Sequence, residues 1–191
     1  MAYNRAMTDT RDTQPSGAGA EAPICPEDLF RHLEALGIAF ETHHHDPVFT
    51  VEEARSLRGA LPGAHVKNLF LRDKKKRYWL VVVEELRPIA LKALAKKLGA
   101  GTFSFGSPER LFEVLGVRPG SVTPLALINA KGRHQVNVVF DSALMDEALI
   151  NCHPLLNTMT TSLAVTDLMR FIEDCGFSAE PMELANLDVT A

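Results

Sequence analysis

His65-Val66-Lys67-Asn68-Leu69-Phe70-Leu71-Arg72-Asp73, then Lys74-Lys75-Lys76-Arg77, then Tyr78-Trp79-Leu80-Val81-Val82-Val83: this stretch decides the fold. Side chains alternate along its first part, with Val66, Asn68 and Phe70 on one side and Lys67, Leu69 and Leu71 on the other. A period of two is that of a strand. Residues 73–77 are charged and short enough to turn, and residues 78–83 are apolar and β-branched enough to return. The whole reads as a β-hairpin, so this part of the sheet is antiparallel. Lys67 and Asn68 then project to opposite faces. Only a one-residue bulge would let Asn68 share a pocket with Lys67.

Upstream, Pro26 opens a helix at its first turn. Leu29, Phe30, Leu33 and Leu36 recur at helical spacing, and Gly37 stops it. Residues 38–42 alternate like a short strand. Thr50 followed by Glu53 makes a capping box for a helix to about Leu57. Gly59, Pro62 and Gly63 form a loop. Downstream, Leu91, Leu94 and Leu98 form a helical stripe ended by Gly99. Ser107 caps a further helix with Pro108 at its first position and Gly116 at its end. Residues 125–129 read as a buried strand and 135–140 as the next. Asp141 or Ser142 caps a short helix to about Leu149. Residues 158–165 form a Thr-rich strand, and Thr166 caps a last helix that ends at Gly176. From Phe177 the chain looks loose.

Helices and strands are interspersed, and at least two strand pairs are hairpin-like. The expected class is therefore α+β, with a mixed, largely antiparallel central sheet surrounded by helices rather than a doubly wound parallel sheet. No G-x-G-x-x-G follows a strand and no G-x-x-x-x-G-K-[ST] occurs, so dinucleotide and Walker-type readings lose support. The 191 residues are enough for one domain with a full core. Residues 1–23 are expected to be a disordered tail, 24–180 a single domain and 181–191 a loose end.

No apolar run approaches the ~20 residues of a membrane helix, and the polar N-terminus lacks a signal-peptide core. Cytoplasm is the expected compartment. Three scattered cysteines, Cys25, Cys152 and Cys175, form no C-x-x-C and fit a reducing environment. The net charge of −4 gives no global field for nucleic acid such as DNA. Basic residues do cluster, however: Arg72, Lys74, Lys75, Lys76 and Arg77 at the turn, and Lys92, Lys96 and Lys97 on a later helix. That is either a solvated tip or an edge that touches phosphates.

Chemistry concentrates in three places. Gly120-Ser121-Val122-Thr123-Pro124 lies between two apolar runs. Its glycine lets a ligand approach the backbone, and its proline stiffens the exit, as an anion or oxyanion site requires. Lys67 sits in an otherwise apolar strand, so an inward Lys67 needs an anion, while an edge position would leave it in water. His153 precedes Pro154 at a strand–loop junction and is either packed or able to orient water. Cys152 beside it is a poor nucleophile–base partner, because adjacent residues diverge. It reads instead as a small hydrophobe lining a pocket. His43-His44-His45 invites a metal, but three consecutive strand residues do not easily ligate one ion.

Taken in order, the His65–Asp73 block, Gly120-Ser121-Val122-Thr123-Pro124 and Asn151-Cys152-His153-Pro154-Leu155-Leu156-Asn157-Thr158-Met159-Thr160 resemble the YbaK/prolyl-tRNA synthetase insertion-domain family of editing deacylases. The branch it looks most like is the free-standing one that removes alanine from mischarged proline tRNA. The resemblance covers about residues 24–176. It implies a mixed sheet wrapped by helices and hydrolysis of an aminoacyl ester on the terminal tRNA adenosine. It also implies no metal and no other cofactor. Lys67, Gly120, Ser121, Val122, Thr123, Pro124 and His153 match the family's functional blocks. Asn68, Cys152, Arg72 and Lys74 are the expected substrate contacts. The implied partner is the acceptor end of an aminoacylated tRNA, with prolyl-tRNA synthetase or an elongation factor as a conceivable carrier. A deacylase for cysteine or serine, a non-catalytic tRNA- or synthetase-binding module and a metal hydrolase are the competing readings.

Overall fold

The computed structural model describes residues 22–46 and 61–184. The helix expected over 50–57 and the N-terminal tail lie outside them. Strands β1 (Phe40–His44), β2 (Ala64–Asp73), β3 (Tyr78–Glu84), β4 (Phe103–Phe105), β5 (Val136–Asp141), β6 (Leu149–Cys152), β7 (Met159–Ala164) and β8 (Ala179–Met182) form one sheet. The helices are α1 (Pro26–Ala35), α2 (Leu91–Lys97), α3 (Pro108–Leu115), α4 (Leu127–Ala130) and α5 (Val165–Asp174). The strand order is β1-β7-β6-β2-β3-β5-β8, with β4 also on β2. Four pairings are antiparallel (β1–β7, β2–β3, β2–β4, β6–β7) and three are parallel (β2–β6, β3–β5, β5–β8). The sheet is therefore mixed, as expected.

The hairpin is where the sequence puts it. β2 and β3 pair without interruption from Val66↔Glu84 to Arg72↔Tyr78. Asp73 locks the turn. Its buried carboxylate accepts from the Arg77 backbone N–H (2.9 Å), Arg77 Nε (2.6 Å) and Trp79 Nε1 (3.2 Å). Burial pushes this carboxyl up, but those three donors and the Arg77 charge outweigh it and hold Asp73 below the ordinary carboxylate value.

β3 is covered on both faces, which is why residues 79–83 are continuously apolar. On one face Phe70, Leu80, Val82, Phe140 and Ile150 meet Leu29 and Leu33 of α1, Leu111 and Leu115 of α3, and Phe171 of α5. On the other, Leu71, Trp79, Val81 and Val83 meet Leu94 and Ala95 of α2. Pro26 begins α1, and Ser107 caps α3 by accepting from the Arg110 N–H.

Four local readings change. Residues 125–129 are not a strand. Pro124–Ala126 is a 3₁₀ turn that runs into α4, with Thr123 Oγ1 accepting from the Leu125 N–H at 3.3 Å. A short run buried on all sides shows no period, so its sequence fits strand and helix equally. The helix expected to reach Leu149 ends as a 3₁₀ turn, Ser142–Asp146, and Leu149 starts β6. Ala164, not Thr166, stands at the N-cap of α5, with no side-chain cap. The end of the chain is not loose from Phe177, because β8 pairs in parallel with β5 and Leu184 is buried in the second core. Its Pro181 masked the strand, yet proline is tolerated at an edge. β4 escaped notice because it has three residues.

Candidate active site

The strand block, the glycine loop and the Asn151 block meet around one notch in the sheet. β3 occupies one edge of β2 from Val66 to Arg72. The other edge is shared by β6, at Ala64 and His65, and β4, at Leu71 to Asp73. Between them the edge is open to other described strands. The Gly106 N–H donates to the Phe70 carbonyl on this edge (2.9 Å). Alternate residues share an edge, so the backbone N–H and C=O of Asn68 also face the notch.

The glycine loop lies against this notch. Asn68 Nδ2 donates to the Val122 carbonyl at 3.0 Å, across 54 residues of sequence. A trans peptide is planar, with its C=O and N–H pointing in opposite directions within the plane, so fixing the Val122 carbonyl also fixes the direction of the Thr123 N–H. Gly120 has φ +91° and stands beside the Asn157 amide. The Ser121 N–H is taken by the Arg118 carbonyl (3.0 Å). The N–H groups of Gly120, Val122 and Thr123 bond to no other described residue. Ser121 and Thr123 are buried, and the Thr123 hydroxyl is used as a cap, so these two side chains support the loop. Pro124 is buried at the first position of the 3₁₀ turn. The Oδ1 of Asn68 is buried with no partner among the described residues, which leaves an acceptor at the notch.

Lys67 takes the other face. The unbroken β2–β3 ladder contains no bulge, so Asn68 does not share a Lys67 pocket. Asn68 lies on the side of Phe70 and the main core, and Lys67 on the side of Leu69 and the second core. Lys67 Nζ donates to the Arg87 carbonyl. The loop carrying that carbonyl is anchored by the Arg87 guanidinium on the buried carboxylate of Asp141 at 2.5 Å. Sequence reading missed this anchor, because its partners are far apart in the chain and neither belongs to a motif.

His153 follows directly on the end of β6, which pairs in parallel with β2 at Ala64↔Ile150 and His65↔Asn151. His153 Nδ1 lies 3.0 Å from the Met159 carbonyl. A carbonyl only accepts, so Nδ1 carries the hydrogen and Nε2 keeps its lone pair. Burial pushes the ring below the ordinary imidazole value. The Met159 carbonyl opposes that shift, nearby His45 reinforces it, and Glu85 opposes it. His153 therefore favours the neutral form, with Nε2 bonded to no described residue and able to accept a hydrogen bond.

The remaining expected residues lie apart from the notch. Cys152 is 2% exposed in the main core, and burial pushes its thiol up to about 12, so it is not a thiolate at neutral pH. Its side chain packs with the core rather than facing an open hollow. Arg72 is half-buried in the hairpin, and Lys74 is exposed at the tip. At ~3.3 Å per residue they stand roughly 13 and 20 Å along the strand from Asn68. The histidine run diverges, with His43 meeting Glu41 (3.5 Å) and His45 meeting Thr160. Among the described residues no three His, Cys, Asp or Glu side chains are grouped to hold a metal. A cavity of about 400 Å³ is lined by Ala64, His65, Glu84, Glu85, Ala143 and Glu147 among others. No described helix is long and apolar enough to cross a membrane.

The structure thus sets an open notch in a mixed sheet beside the amides of the Gly120 loop, the buried Asn68 acceptor and the end of β6 that carries His153. The chain belongs to the aminoacyl-tRNA editing domain family, whose model matches residues 45–171. Prolyl-tRNA synthetase associated domain-containing protein 1 of Danio rerio is 40% identical over 162 residues, covering 83% of this chain and 88% of that protein. The prolyl-tRNA editing protein ProX of Acetoanaerobium sticklandii is 36% identical over 153 residues, covering 80% and 93%. The fold matches that of a crystal structure of a candidate trans-editing enzyme for prolyl tRNA synthetase (TM-score 0.63, 18% identity), covering 86% of this chain and 99% of that one. The family read from the three motifs is thus borne out.

Proposed function

We propose that this protein is an aminoacyl-tRNA deacylase that hydrolyses alanine from mischarged proline tRNA. The observation that carries the reading is the meeting of the three blocks: Asn68 on the Val122 carbonyl, and Gly120 beside Asn157. Membership of the editing family supplies the ester and the tRNA. The names of the Danio rerio and Acetoanaerobium sticklandii relatives point to proline as the tRNA's cognate amino acid.

In this reading the ester lies across the open edge of β2. Water attacks the ester carbon and its carbonyl oxygen takes the negative charge; the adduct then collapses, the ester C–O bond to the ribose breaks, and the proton lost by the water ends on the ribose oxygen, leaving the free amino acid and the tRNA hydroxyl. The free N–H groups of the Gly120 loop receive that charge, and losing one such donor typically costs about 10²–10³ in rate. His153 Nε2 accepts a hydrogen from the water or the substrate amine and positions it. The Lys67 ammonium meets the ribose or phosphate of the terminal nucleotide after leaving the Arg87 carbonyl. The tRNA backbone beyond the acceptor end then runs toward the hairpin tip. There Lys74, Lys75 and Lys76 are exposed, with Lys74 beside Gly101, four residues past Lys97 of α2. None of these five lysines forms an ion pair among the described residues, so their charge is available to phosphates.

A sieve that admits alanine and excludes the larger proline works by steric exclusion. Rejecting a smaller residue by binding gives only ~10–200-fold per methylene. The test is a panel of proline tRNA charged with alanine, cysteine, serine or proline. The expected result is release of alanine alone, abolished by Lys67→Ala with an unchanged circular dichroism spectrum. Preferred release of cysteine or serine would move the substrate, and full activity in Lys67→Ala would remove the site. Salt-sensitive tRNA binding without release would make the protein a binding module.

A further inference from the structure

We propose that His45 is a positioning residue for His153, clamping the short segment whose middle carbonyl fixes the His153 ring. This rests on the editing reading above. The backbone N–H of His45 donates to the Thr158 carbonyl at 3.0 Å. Its ring Nε2 meets Thr160 Oγ1 at 3.0 Å. Between these two held residues stands Met159, whose carbonyl accepts from His153 Nδ1 at 3.0 Å. His45 thus grips the chain on either side of the one atom that sets the His153 tautomer.

The His45 ring is itself oriented. Its Nδ1 lies 2.9 Å from the Asp46 carbonyl, so Nδ1 carries the hydrogen and Nε2 accepts from the Thr160 hydroxyl. Losing the ring's bond to Thr160 leaves the Met159 segment held by backbone pairing alone, which loosens the Met159 carbonyl. His153 can then place its hydrogen on Nε2, the atom that has to be bare to accept. The charged groups that bear on His153 are His45 from the end of β1 and Glu85 from the end of β3. The nearness of His45 disfavours a proton on His153. This gives the third histidine of the run a role distinct from those of its neighbours, since His43 reaches Glu41 and His44 is exposed.

The experiment is ¹⁵N-imidazole NMR of His153 across pH, with steady-state deacylation, in wild type, His45→Ala and His45→Gln. In His45→Ala, a population with hydrogen on Nε2 is expected, with the titration midpoint raised toward that of free imidazole. kcat should fall roughly ten- to a hundredfold with KM unchanged, as for a small displacement of a reacting group. Gln can still accept from Thr160, so His45→Gln is expected to restore the tautomer and most of kcat while its midpoint stays high. An unchanged tautomer and midpoint in a folded His45→Ala would overturn the proposal. If His45→Ala does not fold, Thr160→Val removes the ring contact alone, and an unchanged His153 tautomer there overturns it equally. If the wild type releases no amino acid while the tautomer still responds to His45, only the editing reading fails.

Discussion

Replacing Gly120 by alanine separates backbone strain from steric crowding at the candidate oxyanion loop. Gly120 has φ +91°, where a side chain is strained, yet the added Cβ would find only the Asn157 amide at 3.6 Å, an ordinary contact. Space is therefore not the obstacle. Holding alanine in a left-handed conformation costs about 1–2 kcal/mol. At roughly 2–4 °C per kcal/mol for a chain of this size, the melting temperature should drop by about 2–8 °C if the loop keeps its shape. If the loop relaxes instead, stability recovers, but the N–H groups turn away and the rate should fall about 10²–10³-fold. Gly37 is the control. It has φ +66° with nothing within 4 Å of an added Cβ, and it sits at the end of α1. Gly37→Ala should lose similar stability and keep full turnover. The assay is calorimetry beside alanine release from mischarged proline tRNA. Gly120→Ala with both wild-type melting and wild-type kcat/KM would refute the assignment of this loop.

Two further outcomes follow from buried groups. Asp73→Ala should cost roughly 1.5–3 kcal/mol, because Trp79 Nε1 and the Arg77 N–H lose their charged acceptor. The folded Asp73 titrates below the unfolded value of 3.8, so its stabilisation is complete above that value and is lost as pH falls through the folded one. Urea midpoints of wild type and Asp73→Asn should therefore converge below about pH 4, and a constant gap down to acid pH would contradict the account. Iodoacetamide at pH 8 should label exposed Cys25 and spare Cys152 and Cys175, whose thiols burial pushes up to about 12. Rapid labelling of Cys152 in the folded protein, or loss of deacylation when only Cys25 is modified, would show that the thiol placement is wrong.

What the sequence determined by itself was local. Alternation marked β2, an apolar β-branched run marked β3, and the charged run between them marked the turn, because a strand's period and a turn's polarity are written within a few residues. Pro26, Ser107 and the glycines that end helices did the same for α1 and α3. Period two also put Lys67 and Asn68 on opposite faces, and the unbroken ladder keeps them there. The three motifs were legible as residue strings, and through them the family. Tertiary structure alone decided what those strings touch. It joined Asn68 to Val122, brought Asn151 beside His65 through a parallel pairing, fixed the His153 ring on the Met159 carbonyl, and held Lys67 on a carbonyl anchored by Arg87 and Asp141. It also turned residues 125–129 from strand into helix and drew Ala179–Met182 into the sheet. The physical reason is the same in each case. Backbone periodicity is a property of neighbours in sequence, whereas register, burial and ring tautomer depend on partners that only the folded chain brings within hydrogen-bond reach.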